Sequence, residues 1–373
     1  MKNTENTANR PGPDPGWDEG VARPDLEERL ERHRAFWKRE RTDRPLIHVW
    51  LGDNFLSDAL GFRLPDGLLS PERDGFEGAV DLWGRNLGVC ESVGDDAFRV
   101  PVPFYLMTWM EAILGCQVEA KTGTVWPRHR AGMLEAIEGE PGLSLAINAW
   151  MNRLLQITRQ AGGLARGRYP VGTPFLRGPL DAMAGLLGGE RMCCELYDNP
   201  RRVISLAERL ADVWIEIARA QLIAAPRFHG GVLGGVKGIW APGGCVMASV
   251  DYAIMISPEH FREVFLPSYR RMFDSLEYGY IHTHSGVARV VDDLLEIDSL
   301  RAVEVTIDPA GPDLPELIPV FRKIQERKPL IVFGVSEEQF RLLRRALSPR
   351  GLLLCASAMS ADEARAMARR LRS

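Results

Sequence analysis

The chain has 373 residues, 45% of them hydrophobic and 26% charged, and a formal net charge of −4. This is the composition of an ordinary soluble globular chain, and its mild acidity offers no basic field for nucleic acid or for a membrane surface. No apolar run approaches the roughly 20 residues that span a bilayer, and the first residues lack the apolar stretch of a secretory signal. The six cysteines (Cys90, Cys116, Cys193, Cys194, Cys245 and Cys355) are scattered without framework spacing. That pattern predicts reduced thiols in a cytoplasmic protein.

Residues 1–23 are rich in Asn, Pro and Gly and read as a disordered tail. The remainder, 24–373, reads as a single domain. Asp25 to Arg41 carries Leu26, Leu30, Phe36 and Trp37 among charges, which predicts an amphipathic helix capped near Asp25. Leu46 to Leu51 follows as an apolar strand after Pro45, with Asp53 and Asn54 just beyond its end. Residues 60–130 mix aromatic and polar groups and read as an insertion on the catalytic face. Helices are expected there at Leu82 to Leu87 and Met107 to Leu114, and a hairpin over Gln117 to Trp126. Leu143 to Ala161 predicts a long helix, Val171 to Phe175 a short strand, and Gly178 to Leu187 another helix. Asn199-Pro200 opens a further helix to about Ala225, with proline at its first turn. Gly230 to Trp240 is Gly-rich with short apolar pieces.

From Ser257 the pattern is regular. Ser257-Pro258-Glu259-His260 opens a helix, and four strand–helix units follow. The strands are Tyr278 to His284, Arg301 to Ile307, Pro329 to Val335 and Gly351 to Ala356. They are short and almost continuously apolar, as strands are when helices cover them. Four such units after three earlier strands predict an α/β fold, a (β/α)8 TIM barrel with an N-terminal helical extension. A doubly wound open sheet is the alternative, and no Gly-rich dinucleotide fingerprint supports it.

In a barrel of this kind the active site lies at the C-terminal ends of the strands. His282 and His284 sit at i and i+2 of one strand, so they share a face, about 7 Å apart along the chain. Cys355 ends the last strand at the same rim. Two imidazoles and a thiolate form a borderline-soft donor set with room for a fourth ligand, which is a catalytic zinc arrangement. Glu304, Asp251 and Glu111 are the candidate catalytic carboxylates, to orient substrate or act as base. His48, Asn54, Trp109 and Trp240 are candidate substrate contacts. Each also has a structural reading: a strand histidine held by hydrogen bonds, a buried cysteine serving as a small hydrophobe, a glutamate paired with an arginine, a tryptophan in the core.

The chain from Gly178 onward resembles the uroporphyrinogen decarboxylase superfamily. The resemblance rests on Pro174-Phe175 with Gly178-Pro179, Asp198-Asn199-Pro200, Ile256-Ser257-Pro258-Glu259-His260-Phe261 with Leu266-Pro267, and the His-rich strand with Gly286. It extends more weakly through Trp109 to Cys116. It implies a TIM barrel and one of two chemistries: cofactor-free decarboxylation, or zinc-dependent methyl transfer between a corrinoid protein and a thiol. The decarboxylases carry an Arg-Gln-Ala-Gly-Arg segment after the first strand, where this chain has Leu51-Gly52-Asp53-Asn54. The methyltransferases place His-x-Cys after a strand and a further Cys on the last. Here His282-Thr283-His284 stands at the first and Cys355 at the second. The resemblance thus implies a zinc-dependent methyltransferase-like enzyme, with metal ligands His282, His284 and Cys355 and a corrinoid partner. A metal-free decarboxylase with a histidine proton donor is the alternative, and a non-catalytic barrel that only binds a small ligand is a third. A homodimer through the N-terminal helix is also expected.

Overall fold

The computed structural model describes residues 25–51, 66–72, 88, 91–98, 108–121, 124–129, 132–133, 135, 137, 148–235 and 237–372. The expected tail, the expected helix at Leu82 to Leu87, and Asn54 lie outside these residues. In chain order the strands are β1 (Leu46–Leu51), β2 (Gly67–Leu68), β3 (Gln117–Lys121), β4 (Thr124–Arg128), β5 (Gly172–Thr173) and β6 (Leu176–Arg177). They continue as β7 (Val232–Gly234), β8 (Trp240–Ala241), β9 (Cys245–Ser249), β10 (Tyr278–His284), β11 (Ala302–Thr306), β12 (Leu330–Val335) and β13 (Leu352–Ala358). Seven of them form one sheet in the order β1-β13-β12-β11-β10-β9-β6. Every neighbouring pair in that sheet is parallel.

Strand periodicity divides the side chains between two faces. Ile47, Val49, Val303, Val305, Val332 and Leu354 pack outward against the helices. Leu46, Trp50, Met247, Tyr280, Ile331, Phe333, Leu353 and Cys355 form a separate inner cluster. The helices on the outer face include Pro200–Ala224, Leu314–Arg327, Glu337–Ala346 and Ala361–Arg372. Ser336 opens the third of these with a capping box, its hydroxyl accepting from the Gln339 N–H and Gln339 returning the bond.

The hydrogen-bonded ring is not closed as an eight-stranded ladder among the described residues. Strands β5, β7 and β8 make a small sheet of their own. Segment 95–98 spans the seam instead. The Asp96 N–H donates to the Ile47 carbonyl at 3.0 Å, and the Phe98 N–H donates to the Gly238 carbonyl at 2.9 Å. The Asp95 and Asp96 carboxylates accept from the Val49 and Ile47 N–H groups at 2.6 and 2.8 Å. Arg44, itself buried, answers the Asp96 charge. Carboxylates thereby accept from two N–H groups along this edge of β1, in the manner of a neighbouring strand.

The expected N-terminal helix is present as α1 (Leu26–Lys38), though Asp25 makes no side-chain cap. Its Phe36 and Trp37 join the inner cluster beside Leu46, Ala302, Ile331 and Leu353, all near strand N-termini. Helix α1 therefore covers the end of the sheet opposite the C-terminal rim. His33 fastens it there. Its Nε2 donates to the Asp96 carbonyl at 2.9 Å, and its Nδ1 accepts from the Trp240 N–H at 3.0 Å. The expected hairpin is present as β3 and β4, with β2 added as a third strand. No helix of the described residues is long and apolar enough to cross a membrane.

Candidate metal centre

His282 and His284 end β10 on the inner face, as their spacing predicts. Each ring is held through Nδ1 by a carboxylate from the next strand and its loop. His282 Nδ1 bonds to Glu304 Oε2, and His284 Nδ1 donates to Asp308 Oδ1 at 2.6 Å. Asp308 is fixed in turn by the Ser285 N–H at 3.1 Å, and its own N–H donates to the Ser285 hydroxyl at 2.8 Å. With Nδ1 as donor, the lone pair of each neutral imidazole is left on Nε2.

Both Nε2 atoms face one carboxylate oxygen. Asp251 Oδ1 lies 3.6 Å from His282 Nε2 and 3.8 Å from His284 Nε2. These separations are too long for hydrogen bonds, and Asp251 Oδ1 is buried with no hydrogen-bond partner. Three atoms each about 2 Å from a common ion at tetrahedral angles lie about 3.3 Å apart, close to what is seen. Asp251, His282 and His284 are thus a group able to hold a metal ion, its donor atoms within 4.8 Å of one another. A buried, unpartnered carboxylate oxygen between two nitrogen lone pairs fits a divalent cation.

The carboxylate is aimed by a turn the sequence did not reveal. Strand β9, unpredicted, delivers the chain into the 3-10 turn Asp251–Met255. Asp181, at the start of helix Pro179–Leu187, accepts from the Asp251 and Tyr252 N–H groups at 3.0 and 2.9 Å and from the Ser249 hydroxyl. Burial and then the nearby Asp251 charge push the Asp181 carboxyl up to about 6.

Glu304 is fully buried and saturated. The Thr306 hydroxyl donates to its Oε1 at 2.8 Å, and the Lys237 ammonium lies 3.4 Å from the same oxygen. Burial opposes its ionisation, but Lys237, His282 and Thr306 outweigh burial and hold it at about 2. Burial likewise opposes charging His282, yet Glu304 and then Asp251 raise that imidazole above its ordinary value. Lys237 is also fully buried and sits 3.5 Å over the Phe333 ring; burial lowers its pKa against the pull of Glu304. Gly235 and Gly238 adopt φ of +59° and +68°, which lets the loop turn Lys237 inward. Gly-Gly-Val-Lys-Gly in the sequence was the available signal.

Cys355 does not join the two imidazoles. It lies three strands from β10 in the sheet order, about 14 Å at the usual strand spacing. It is fully buried in the inner apolar cluster, in register with His48 and Phe333. Lys237 Nζ lies 3.4 Å from Glu304 Oε1 and 3.5 Å over the Phe333 ring, the residue in register with Cys355.

The other expected site residues divide. His48 is buried on the inner face, its ring 5.8 Å from Trp50, which packs edge-on to Phe333. Trp109 is buried against Trp150. Glu111 is fully buried on helix Trp109–Ile113 and accepts from Arg177 Nη1 at 2.8 Å. Gly185 is bare at this point because a Cβ there would lie 2.3 Å from Glu111 Oε1. Glu111 therefore acts on Arg177, which the sequence reading passed over. Trp240 is buried beneath α1, its indole donating to the Phe228 carbonyl at 2.9 Å. It packs with Leu30, Phe98 and Leu233 on the side away from the rim, because β8 and the His33 bond tie it to α1.

Comparison with known proteins defines the architecture and no more. No family model matches the sequence, and no curated protein matches it. Among solved structures the chain is similar to a methyltransferase from Methanosarcina mazei, at 14% identity and a TM-score of 0.63. The match covers 92% of this chain and 98% of that one. At this identity the likeness shows a shared α/β fold.

Proposed function

We propose that the chain is a zinc-dependent, methyltransferase-like enzyme of the uroporphyrinogen decarboxylase superfamily, with Asp251, His282 and His284 as the protein ligands. The convergence of Asp251 Oδ1 and two Nε2 lone pairs carries this reading. The fold likeness to a methyltransferase supports it. Asp251 takes the place that the sequence reading gave to Cys355.

Zinc, when bound, would supply a Lewis acid that holds a thiol or similar acceptor as its anion at neutral pH. The chain's own part is to keep the site ready. Glu304 and Asp308 fix the tautomer and tilt of the two histidines. Asp181 fixes the turn that carries Asp251. The fourth position is left to the acceptor, and the methyl donor is a corrinoid docked over the barrel mouth. An N2O donor set releases less charge to the ion than one with thiolates, so an acceptor anion held there keeps less electron density.

A second reading has one observation behind it. The raised His282 imidazole, between Glu304 and Asp251, suits a proton donor to a carbanion in a metal-free lyase. Metal analysis separates the two. Protein purified untagged and supplied with zinc should hold about one equivalent, and Asp251→Ala and His284→Ala should each lose it. Full activity on a carboxylated substrate after complete chelation would establish the lyase instead.

A further inference from the structure

Of the three candidate ligands, Asp251 is held by the least structure. His282 and His284 end a strand in the interior of the seven-stranded sheet, and each ring is fixed at Nδ1 by a carboxylate. Asp251 opens a five-residue 3-10 turn, Asp251–Met255, in which Ala253 is the buried residue. Ile254 and Met255 are 45% and 62% exposed. The Asp251 side chain is 40% exposed, against 13% for His282 and 32% for His284. A turn this short has few bonds of its own; the Ala253 N–H donates to the Val250 carbonyl at 3.2 Å. Its place must be set by its neighbours.

Those neighbours lie at its two ends. At the first, Asp181 accepts from the Asp251 and Tyr252 N–H groups, and the Val250 N–H donates to the His282 carbonyl at 3.1 Å. At the second, Arg289 Nη1 donates to the Ile254 carbonyl at 2.7 Å. Arg289 closes the 3-10 turn Ser285–Arg289, which follows His284 directly. Gly286 of that turn is bare because a Cβ there would lie 2.6 Å from Ile254 Cγ2. Ile254 is therefore seated on the loop that leaves the histidines and clamped to it by a guanidinium. A carbonyl at the end of a helical turn lacks an internal partner, and a charged donor is the stronger kind to supply one.

We infer that Arg289 is a positioning residue for the metal centre. It is the latch that holds the Asp251 turn against the histidine strand, and release of that turn is the route by which the ion leaves. The inference rests on the metal-centre reading for what the latch serves, while the latch itself is a contact between two turns. Arg289 touches neither the ion nor the substrate; it acts through Asp251.

The test compares wild type with Arg289→Met and Arg289→Lys. Zinc-loaded protein is challenged with a chromophoric chelator, and hydrogen exchange is followed at the Ala253 amide of the metal-free protein. Arg289→Met should release zinc about tenfold faster, as loss of one charge-assisted hydrogen bond predicts. Arg289→Lys keeps a charged donor and should recover part of that difference. Exchange at Ala253 should quicken in Arg289→Met, with the amides of β10 and the urea midpoint of the metal-free protein unchanged. Equal release of zinc by wild type and Arg289→Met overturns the inference and leaves the metal reading intact. So does a lowered urea midpoint with exchange faster throughout, which marks a general structural role. If wild type takes up no zinc, the metal reading fails, and exchange at Ala253 decides. Faster exchange there alone supports Arg289 as the latch of the Asp251 turn; unchanged exchange overturns it.

Discussion

The Lys237–Glu304 pair separates fold stability from metal affinity. Both side chains are fully buried, so neither is screened by solvent. Its neighbours hold Glu304 at about 2, against an ordinary value of 4.5. That difference corresponds to about 3 kcal/mol of stabilisation, present above pH of about 4.5 and lost as the pH falls through about 2. Burial works the other way on Lys237, so the pair's net worth is smaller than the Glu304 side alone indicates. Breaking the pair is the larger effect, because it strands a buried charge at a cost of about 3–5 kcal/mol. Glu304→Gln and Lys237→Met should each destabilise by about that amount in urea unfolding, and the double variant should recover most of it. Zinc affinity should behave differently. Glu304→Gln removes the anionic acceptor of His282 Nδ1, which costs about 10–100-fold in metal affinity. The double variant should remain as weak, measured by competition with a chromophoric chelator. Stability losses that simply add, or zinc affinity restored in the double variant, would refute the coupling argued from this geometry.

Two further predictions concern the opposite end of the sheet. His33 must be neutral there, since its Nδ1 accepts the Trp240 N–H, and burial lowers its pKa to about 4. The unfolded chain then binds more protons between about pH 4 and 6.5, so stability is complete above that window and falls by about 3 kcal/mol as the pH drops through it. His33→Gln should flatten this part of the urea-midpoint profile, and parallel profiles would count against the assignment. Trp240→Ala should destabilise by about 3–5 kcal/mol through the cavity it leaves. It should leave zinc affinity unchanged; a loss of binding at full stability would return Trp240 to the site.

The C-terminal half was legible because each βα unit carries its own local signal. Tyr278 to His284 was read to the residue, and His282 and His284 share a face because strand period is fixed. Glu304, in register with His282, obeys the same rule. What failed to show in the sequence was tertiary. Asp251 lies in a loop, and only β9, Asp181 and the 3-10 turn bring it to the imidazoles. Cys245 to Ser249, the strand β9, lies between the Gly-rich Gly230 to Trp240 and the regular pattern from Ser257, and carries no turn or cap signal of its own. Cys355 was expected at the end of its strand, but it lies midway along β13, three strands from β10 in the sheet order, and strand order is something local pattern does not report. Arg177 and Glu111 lie 66 positions apart, and nothing local links them. Among the described residues, Asp95 and Asp96 serve as acceptors along the edge of β1, a role indistinguishable in sequence from that of surface acids.

The composition of the metal's coordination shell tests the central claim most directly. X-ray absorption at the zinc edge, on loaded wild-type protein free of added thiols, should show nitrogen and oxygen scatterers alone at about 2.0–2.2 Å. Cys355→Ala should give the same spectrum and the same stoichiometry. A sulfur scatterer at about 2.3 Å that disappears in Cys355→Ala would contradict the Asp251–His282–His284 centre and restore the thiolate as a ligand.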